Sequence, residues 1–300
     1  MDTPFQMRTI GSGRPHLLII AGVHGDEFEP MVAVRQFWQQ LQATPVRGTI
    51  TCIPIVNGPA FLRGQRTGED GLDLARTMPG RADGSPTERI AAALAPMIRE
   101  ADYLIDLHTG GRLFRIAPLS GYVLHRDRAV LDVQRRMARA FNCPIIWGTH
   151  PGLDGRTLSI ARDAGVPAIY VEAGGGETFE QAAVDLCVDG CLNVAAALKF
   201  IDRPAAAPRI AQVVEDPRPA SGHLQVMHPA PAAGFFQPAV DLGERVSAGQ
   251  LWGTVLDPFG VPLGDVKAAE SGLALFLRAV PAVQDGESTG GVLPLGLPPL

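Results

Sequence analysis

Buried strands and amphipathic helices alternate along the first two thirds of the chain, and this alternation is the strongest constraint on the fold. Four apolar runs are typical of strands, namely "HLLIIAGV", "GTITCIPIV", "DYLIDLHT" and "PAIYVEAG". Helical periodicity follows each of them, in "EPMVAVRQFWQQLQ", "TERIAAALAPMIREA", "RAVLDVQRRMARAFN" and "FEQAAVDLCVDGCLNVAAALKFI". The pattern predicts an α/β fold, in which a mostly parallel mixed sheet is flanked by helices. In such sheets, ligands bind beyond the carboxyl ends of the strands.

The pattern changes at "DRPAAAPRIAQVVEDPRPASG", where proline and alanine replace the helical periodicity. We therefore expect an α/β domain over residues 1–203, a linker over 204–221 and a small all-β domain over 222–300. The last part repeats itself, because "VSAGQLWGTV" and "VQDGESTGGV" share V-x-x-G-[QE]-x-x-G-x-V. This repeat predicts a pseudo-symmetric barrel-sandwich that resembles the lipoyl or biotinyl carrier fold. Lys267 looks like the start of a strand rather than a hairpin tip, so we expect no carrier chemistry.

The composition limits the classes of partner. Hydrophobic residues make up 46% and charged residues 19% of the chain, as in ordinary globular proteins. A net charge of -5 provides no basic surface for nucleic acid. The sequence has no apolar run of about 20 residues and no N-terminal secretory signal. We expect a cytoplasmic protein that acts on a small molecule, with no membrane partner.

The loop after the first strand, "GVHGDE", carries His24, Asp26 and Glu27. A histidine and a glutamate three residues apart in a turn can point at one ion, although an isolated pair of this kind is more often a polar surface turn. A catalytic zinc site usually has three protein ligands, often two histidines and one carboxylate. His108 fits best as the second histidine, because it ends a parallel strand at the same sheet edge. Asp106 lies on the same strand face and can accept the free ring N–H of His108.

A third strand, "AIYVEAGGG", brings Glu172 to the same edge, followed by glycines that allow close approach of a ligand. Glu172 has two possible roles, as a general base or as a cap of the next helix. Asp26 also has two, because it can orient His24 or cap the helix that begins near Glu29. Together the three strand ends predict a metal site with a neighbouring base.

The motifs "GVHGDE", "NGPAFLRGQR", "GLDLAR", "DLHTG" and "VEAGGG" occur in the order and rough spacing found in the succinylglutamate desuccinylase and aspartoacylase family. This family is related to the zinc carboxypeptidases. The segment "HPAPAAGFFQPAVDLGERVSAGQLWGTVLDPFG" also resembles the β domain of the family's bacterial members. The resemblance therefore covers nearly the whole chain and implies a zinc carboxypeptidase-like fold with deacylase activity.

The resemblance also implies roles for the residues at the three strand ends. His24, Glu27 and His108 match the ligands of one Zn²⁺ per chain, and Glu172 matches the glutamate that activates water. The chain departs from the family at Ala75, which stands where an asparagine contacts the substrate. "NGPA" likewise stands where "NP-x-A" is usual.

Arginines complete the site that the resemblance implies. Arg66 matches the arginine near the scissile carbonyl, and Arg76 matches the one that binds a substrate carboxylate. Arg63 is close enough in sequence to exchange roles with Arg66. A further substrate arginine is expected upstream of the general base, and the spacing leaves Arg156 and Arg162 as alternatives.

We therefore expect hydrolysis of the amide bond of a small anionic N-acyl amino acid or a related compound. A carboxypeptidase or amidase that acts on peptide-like substrates would use the same metal chemistry. A small-molecule-binding relative without turnover is the third alternative, which Ala75 makes worth testing. The chain is also a possible homo-oligomer.

Overall fold

The computed structural model describes residues 4–219, 221–223 and 227–295, so residues 1–3, 220, 224–226 and 296–300 of the expected domains and linker lie outside it. Its strands are β1 (Arg8–Gly11), β2 (His16–Ala21), β3 (Thr49–Ile53), β4 (Tyr103–His108), β5 (Phe114–Val123), β6 (Ile145–Thr149), β7 (Ala168–Gly175), β8 (Gln212–Asp216), β9 (Gly234–Pro238), β10 (Arg245–Val246), β11 (Leu251–Leu256), β12 (Pro262–Lys267), β13 (Gly272–Arg278), β14 (Ala282–Val283) and β15 (Gly290–Pro294). Its helices are α1 (Phe28–Leu41), α2 (Gly58–Arg63), α3 (Pro86–Glu100), α4 (Arg128–Phe141), α5 (Thr157–Ala164) and α6 (Gln181–Ala197), with a 3₁₀ turn at Leu74–Arg76.

The main sheet is mixed, and its centre is parallel. Its strand order is β1-β3-β2-β4-β7-β5-β13-β10, and β6 continues it from the second half of β5. Strands β3, β2, β4 and β7 lie parallel to one another. Strand β5 lies antiparallel to β7 and parallel to β6. The prediction of an α/β fold with a mostly parallel sheet is confirmed.

Helices cover both faces of this sheet, because successive side chains of a strand point to opposite sides. In β2, Leu17 and Ile19 pack in the layer formed with α1, α4 and α6. Leu18 and Ile20 pack in the opposite layer, with α3 and α5. No helix in the described part of the chain is long and apolar enough to cross a membrane.

Several elements were not predicted. Pro118 lies within β5, and a register shift interrupts the pairing of this strand with β7. Strand β8 lies inside the segment expected to be a linker, and it pairs in parallel with β6. Its Glu215 accepts hydrogen bonds from Tyr122 and Arg135, while Val214 is buried. Residues 212–216 therefore belong to the sheet, because these contacts hold a short segment that has little strand pattern of its own.

The C-terminal strands form two packed layers. Strands β9, β11, β12 and β14 make one sheet, while β10 and β15 flank β13 in the other. Buried side chains that include Phe236, Trp252, Val255, Ala274 and Val292 fill the space between the layers. The two sequence repeats occupy equivalent places, because β9 pairs with β11 as β13 pairs with β15. Each repeat also contributes its short strand, β10 or β14, to the other repeat's layer.

Strand β13 joins the two parts of the protein. Besides its partners in the C-terminal layers, it pairs with the first half of β5, where Phe276 lies opposite Ile116 and Arg278 opposite Phe114. The expectation for Lys267 was wrong in detail, because this residue ends β12 rather than beginning a strand. It pairs with Leu251 and lies away from the β11–β12 turn.

Candidate active site

The carboxyl ends of β2, β4 and β7 meet at one edge of the sheet. His24 lies in the loop after β2, and His108 is the last residue of β4. Glu172 lies directly opposite His108 in the register of β4 and β7. The parallel pairing thus brings together the three strand ends that the sequence singles out.

His24, Glu27 and His108 form a buried cluster with the composition of a metal site. The Glu27 carboxylate lies between the two imidazoles, with 2.6 Å from Oε1 to His24 Nδ1 and 2.8 Å from Oε2 to His108 Nδ1. One candidate ligand atom from each residue lies within 4.8 Å of the other two. Burial opposes ionisation of Glu27, but the two histidines outweigh it and hold its pKa below the ordinary range.

A second carboxylate lies behind each histidine. His24 Nε2 donates to Asp73 Oδ1 at 3.1 Å. His108 Nε2 lies 3.1 Å from Asp106 Oδ1, although without hydrogen-bond alignment, and the other Asp106 oxygen accepts the hydroxyl of Thr157. Both Nδ1 atoms therefore face Glu27, while both Nε2 atoms face an outer carboxylate, as is common around bound metals.

Asp73 is a site residue that the sequence analysis missed. It lies in "GLDLAR" at the start of the 3₁₀ turn, where its Oδ1 also accepts the backbone N–H of Ala75. Its Oδ2 accepts two hydrogen bonds from Arg66, at 3.0 and 3.2 Å. The available signal was a carboxylate three residues before Arg76, in a motif that the sequence analysis used only for Ala75 and Arg76.

Asp26 makes neither of the hydrogen bonds expected for it with the residues that the structure describes. Its Oδ2 accepts the backbone N–H of Arg112 at 3.2 Å, and its Oδ1 is buried without a hydrogen-bond partner among the described residues. The residue that precedes α1 is Glu27, which makes no side-chain cap. Burial raises the pKa of Asp26, and the neighbouring Glu27 adds to this effect.

Glu172 lies at the inner wall of the site. Its Oε2 is buried, with no hydrogen-bond partner in the part of the chain described. Burial raises the pKa of Glu172 to about 8, while His108 opposes the rise. A carboxyl group with a pKa near neutrality can both accept and release a proton. The next helix, α6, begins at Gln181 and follows Glu180, so Glu172 is not its cap.

Three of the five candidate arginines line the same cavity, namely Arg66, Arg76 and Arg156. Arg66 Nη1 lies 4.0 Å from Glu27 Oε1. The Arg156 guanidinium makes no ion pair with any described carboxylate, and its Nε is buried without a partner. Burial lowers the pKa of Arg156 to about 10, and Arg76 contributes to the shift. An unpaired guanidinium in a cavity is a ready partner for an anion.

The other two arginines lie outside this cavity. Arg63 is exposed at the end of α2, where it donates to Gln65 Oε1 at 2.8 Å. Arg162 pairs with Asp154 and Asp163 at 2.8 Å each, beside a separate surface cavity. Of the two alternatives upstream of Glu172, the structure therefore brings only Arg156 to the site.

The cavity has a volume of about 320 Å³ and is lined by both parts of the protein. Ala75 lies in its wall, so a methyl group stands where the resemblance leads one to expect an asparagine amide. The C-terminal part contributes Phe276 and Arg278 of β13, together with Glu287 and Ser288, which lie between β14 and β15. Arg278 donates to the backbone oxygens of Val280, Ala282 and Ser288 and pairs with Glu287 at 2.9 Å. No sequence motif indicated this wall, since the pairing of β13 with β5 creates it.

Comparison with known proteins identifies relatives that share this fold. The N-alpha-acetyl-L-2,4-diaminobutyric acid deacetylase of Halomonas elongata is 30% identical over 286 residues, which cover 91% of this chain and 80% of that protein. The crystal structure of a succinylglutamate desuccinylase/aspartoacylase from Rhodobacter sphaeroides has a TM-score of 0.84 at 25% identity, covering 96% of this chain and 88% of the other. The product-bound structure of the ectoine utilization protein EutE (DoeB) from Ruegeria pomeroyi has a TM-score of 0.85 at 25% identity, covering 95% and 87%.

The sequence itself matches a family model. The succinylglutamate desuccinylase/aspartoacylase catalytic domain matches residues 14–198, which hold the cluster of His24, Glu27 and His108 together with Glu172 and the candidate arginines. The predicted resemblance is thus confirmed, and the chain belongs to the succinylglutamate desuccinylase/aspartoacylase family.

Proposed function

We propose that this protein hydrolyses the amide bond of a small N-acyl amino acid and releases a carboxylate and an amine. One observation carries the proposal. A buried histidine–glutamate–histidine cluster shares one cavity with Glu172 and Arg156, whose buried Oε2 and Nε atoms have no hydrogen-bond partner among the described residues. The relative from Halomonas elongata is named as a deacetylase of N-alpha-acetyl-L-2,4-diaminobutyric acid. We infer a substrate of the same class, with an acylated amine and a free carboxylate.

The proposed cofactor is one Zn²⁺ per chain, held by His24, Glu27 and His108. Two imidazoles and a carboxylate are the ligand set of many catalytic zinc sites. The outer carboxylates Asp73 and Asp106 support the assignment, because they leave both Nδ1 atoms directed at Glu27. A zinc ion bound there supplies Lewis acidity, which lowers the pKa of water to about 7 and polarises a carbonyl group.

Glu172 is the proposed general base. It would take a proton from the attacking water and give it to the nitrogen of the leaving amine, so that the amine departs neutral. Its unpartnered Oε2 and raised pKa support both transfers. Such proton transfer typically contributes about 10²–10⁴ in rate.

The three arginines of the cavity have two proposed roles, which are stabilisation of the transition state and binding of the substrate carboxylate. Arg66 is held by Asp73 beside Glu27, where its guanidinium can stabilise negative charge that develops on the carbonyl oxygen. Arg156 and Arg76 would bind the substrate carboxylate through charge-assisted hydrogen bonds. These two arginines raise the affinity for anionic substrates without taking part in bond cleavage.

A single N-acyl amino acid is favoured over a peptide. The cavity of about 320 Å³ lies at the lower end of the range for small-molecule sites. The C-terminal part of the chain closes one side of it, through Phe276, Arg278 and Glu287. We propose that the barrel-sandwich domain serves as a wall of the site and carries no modified lysine. The domain boundaries expected from the sequence, after residues 203 and 221, stay a prediction.

The test combines metal content with turnover. We expect the purified protein to contain one zinc per chain and to release amine from members of a panel of N-acetyl and N-succinyl amino acids. His24→Ala should lose the zinc and the activity, whereas Glu172→Gln should keep the zinc and lose the activity. Full zinc occupancy in His24→Ala would refute the ligand assignment, and an active Glu172→Gln would refute the base. A zinc-loaded protein that cleaves no amide in the panel would refute the reaction.

A further inference from the structure

Tyr170 lies on the floor of the cavity, two residues before Glu172 on β7. Residues two apart on a strand point to the same face, so the phenol ring and the Glu172 carboxyl group share the face that carries the site. Tyr170 pairs with Asp106 of β4 on one side and with Gly121 of β5 on the other. It lines the same cavity as Arg156 and Glu172.

Gly121 fixes the direction of this ring. A methyl group at position 121 would lie 2.2 Å from Cζ and 2.5 Å from the hydroxyl oxygen of Tyr170. The ring therefore crosses the neighbouring strand over a residue that has no side chain, and its hydroxyl lies over Gly121. Phe276 and Trp147 belong to the apolar cluster against which the ring packs.

The hydroxyl of Tyr170 makes no hydrogen bond to any residue that the structure describes. Tyr170 is partly exposed, and its hydroxyl is not among the buried polar atoms that lack a partner. Burial raises the pKa of Tyr170, Glu172 adds to the rise, and Arg156 opposes it. A phenol donates one hydrogen bond, and in a cavity that the Arg156 guanidinium also lines, an anion bound by that guanidinium is a suitable acceptor.

We propose that the Tyr170 hydroxyl binds the substrate carboxylate, donating a hydrogen bond to it beside the Arg156 guanidinium. The inference rests on the proposed function, because it assumes an N-acyl amino acid with its carboxylate at Arg156. It makes Tyr170 a residue that distinguishes acids from their uncharged amides. Tyr170 takes no part in proton transfer, which belongs to Glu172.

Tyr170→Phe tests the proposal, because it removes the hydroxyl and keeps the ring. A hydrogen bond from a neutral donor to a charged acceptor is typically worth roughly a tenfold to hundredfold change in binding. We expect KM for the N-acyl amino acid that the wild type cleaves best to rise by about that factor, with kcat within about twofold. For the carboxamide of the same substrate, KM should stay unchanged.

Calorimetric binding gives a readout that does not depend on turnover. L-2,4-diaminobutyrate and its carboxamide serve as probes, with wild type and Tyr170→Phe compared on each. The variant should weaken binding of the acid tenfold to hundredfold and leave binding of the amide unchanged. Equal effects on acid and amide, or no effect on either, would overturn the proposal. If the wild type cleaves no amide, the proposed function fails, and the binding comparison still decides the role of Tyr170.

Tyr122→Phe is the matched control. Tyr122 is a buried tyrosine whose hydroxyl donates to Glu215 at 2.6 Å, outside the cavity. Its loss should lower the melting temperature and leave KM and probe affinity unchanged. If Tyr170→Phe lowers kcat instead of raising KM, the hydroxyl acts in the chemical step and the carboxylate assignment is wrong.

Discussion

Replacing Arg156 by methionine should stabilise the protein and weaken substrate binding at the same time. The guanidinium has no carboxylate partner in the described structure, so its removal breaks no ion pair. Methionine keeps an apolar stem of similar length, which preserves the packing of the arginine methylenes. The variant should therefore be more stable but bind substrate more weakly, as expected when a buried charge serves ligand binding and not folding.

The size of both effects follows from the environment of Arg156. Burial lowers its pKa from 12.5 to about 10, a difference that corresponds to about 3 kcal/mol against the charged form at about 1.4 kcal/mol per pKa unit. Because Arg156 is partly exposed, solvent screening reduces this to about 1–2 kcal/mol, so the melting temperature should rise by about 2–6 °C. Loss of a charge-assisted hydrogen bond should raise KM roughly 10- to 100-fold.

The assay is differential scanning calorimetry of the ligand-free protein alongside steady-state kinetics. Arg162→Met is the matched control, because Arg162 makes two ion pairs outside the cavity. It should lower the melting temperature slightly and leave KM unchanged. A fall of several degrees in Arg156→Met with an unchanged KM would refute the reasoning and make Arg156 a structural residue.

Three further predictions follow from the same contacts. Glu172→Gln should lower kcat by about 10²–10⁴ without changing zinc content, as measured by activity and elemental analysis of one preparation; a smaller loss would point to another base. Asp73→Asn should weaken metal binding about 10- to 100-fold in chelator competition, because its carboxylate accepts from His24 Nε2; unchanged affinity would mean that Asp73 does not support the ligand. The hydrogen bond from Arg135 holds the pKa of Glu215 below its ordinary value, so this interaction contributes stability at neutral pH that is lost as the pH falls below about 4. Urea unfolding between pH 7 and 3 should show a shallower loss in Glu215→Gln, and parallel curves would contradict the assignment.

The sequence was sufficient to predict which residues meet at the ends of the parallel strands. His108 and Glu172 each end a buried apolar run, and adjacent parallel strands bring such residues to one edge whatever the loops do. The same argument predicted that His24 would join them. These positions could be predicted because the register of parallel strands depends on which residues are buried, and the hydrophobic pattern of the sequence shows those residues.

Residues that depend on long-range pairing could not be predicted in this way. Arg156 and Arg162 are equivalent in sequence, and only the fold of the loop before α5 brings the first into the cavity. Asp73 follows a loop, and nothing local indicates that it reaches His24. Arg278 reaches the site because β13 pairs with β5, across about 160 residues of chain. Contacts between residues far apart in the chain leave no periodic pattern in the sequence.

The shared strand β13 has a consequence for engineering this protein. Removing the residues after Asp202 would strip β13 from β5 and β8 from β6, which leaves two unprotected sheet edges that invite aggregation. The C-terminal part is therefore an integral part of the main sheet and not a separable domain. Exchange of residues 279–289 between family members, with β13 and β15 kept, would transplant Glu287 and Ser288 of this cavity wall without altering His24, Glu27 or His108. Residues that would set selectivity at the proposed site therefore lie far in sequence from His24, Glu27 and His108.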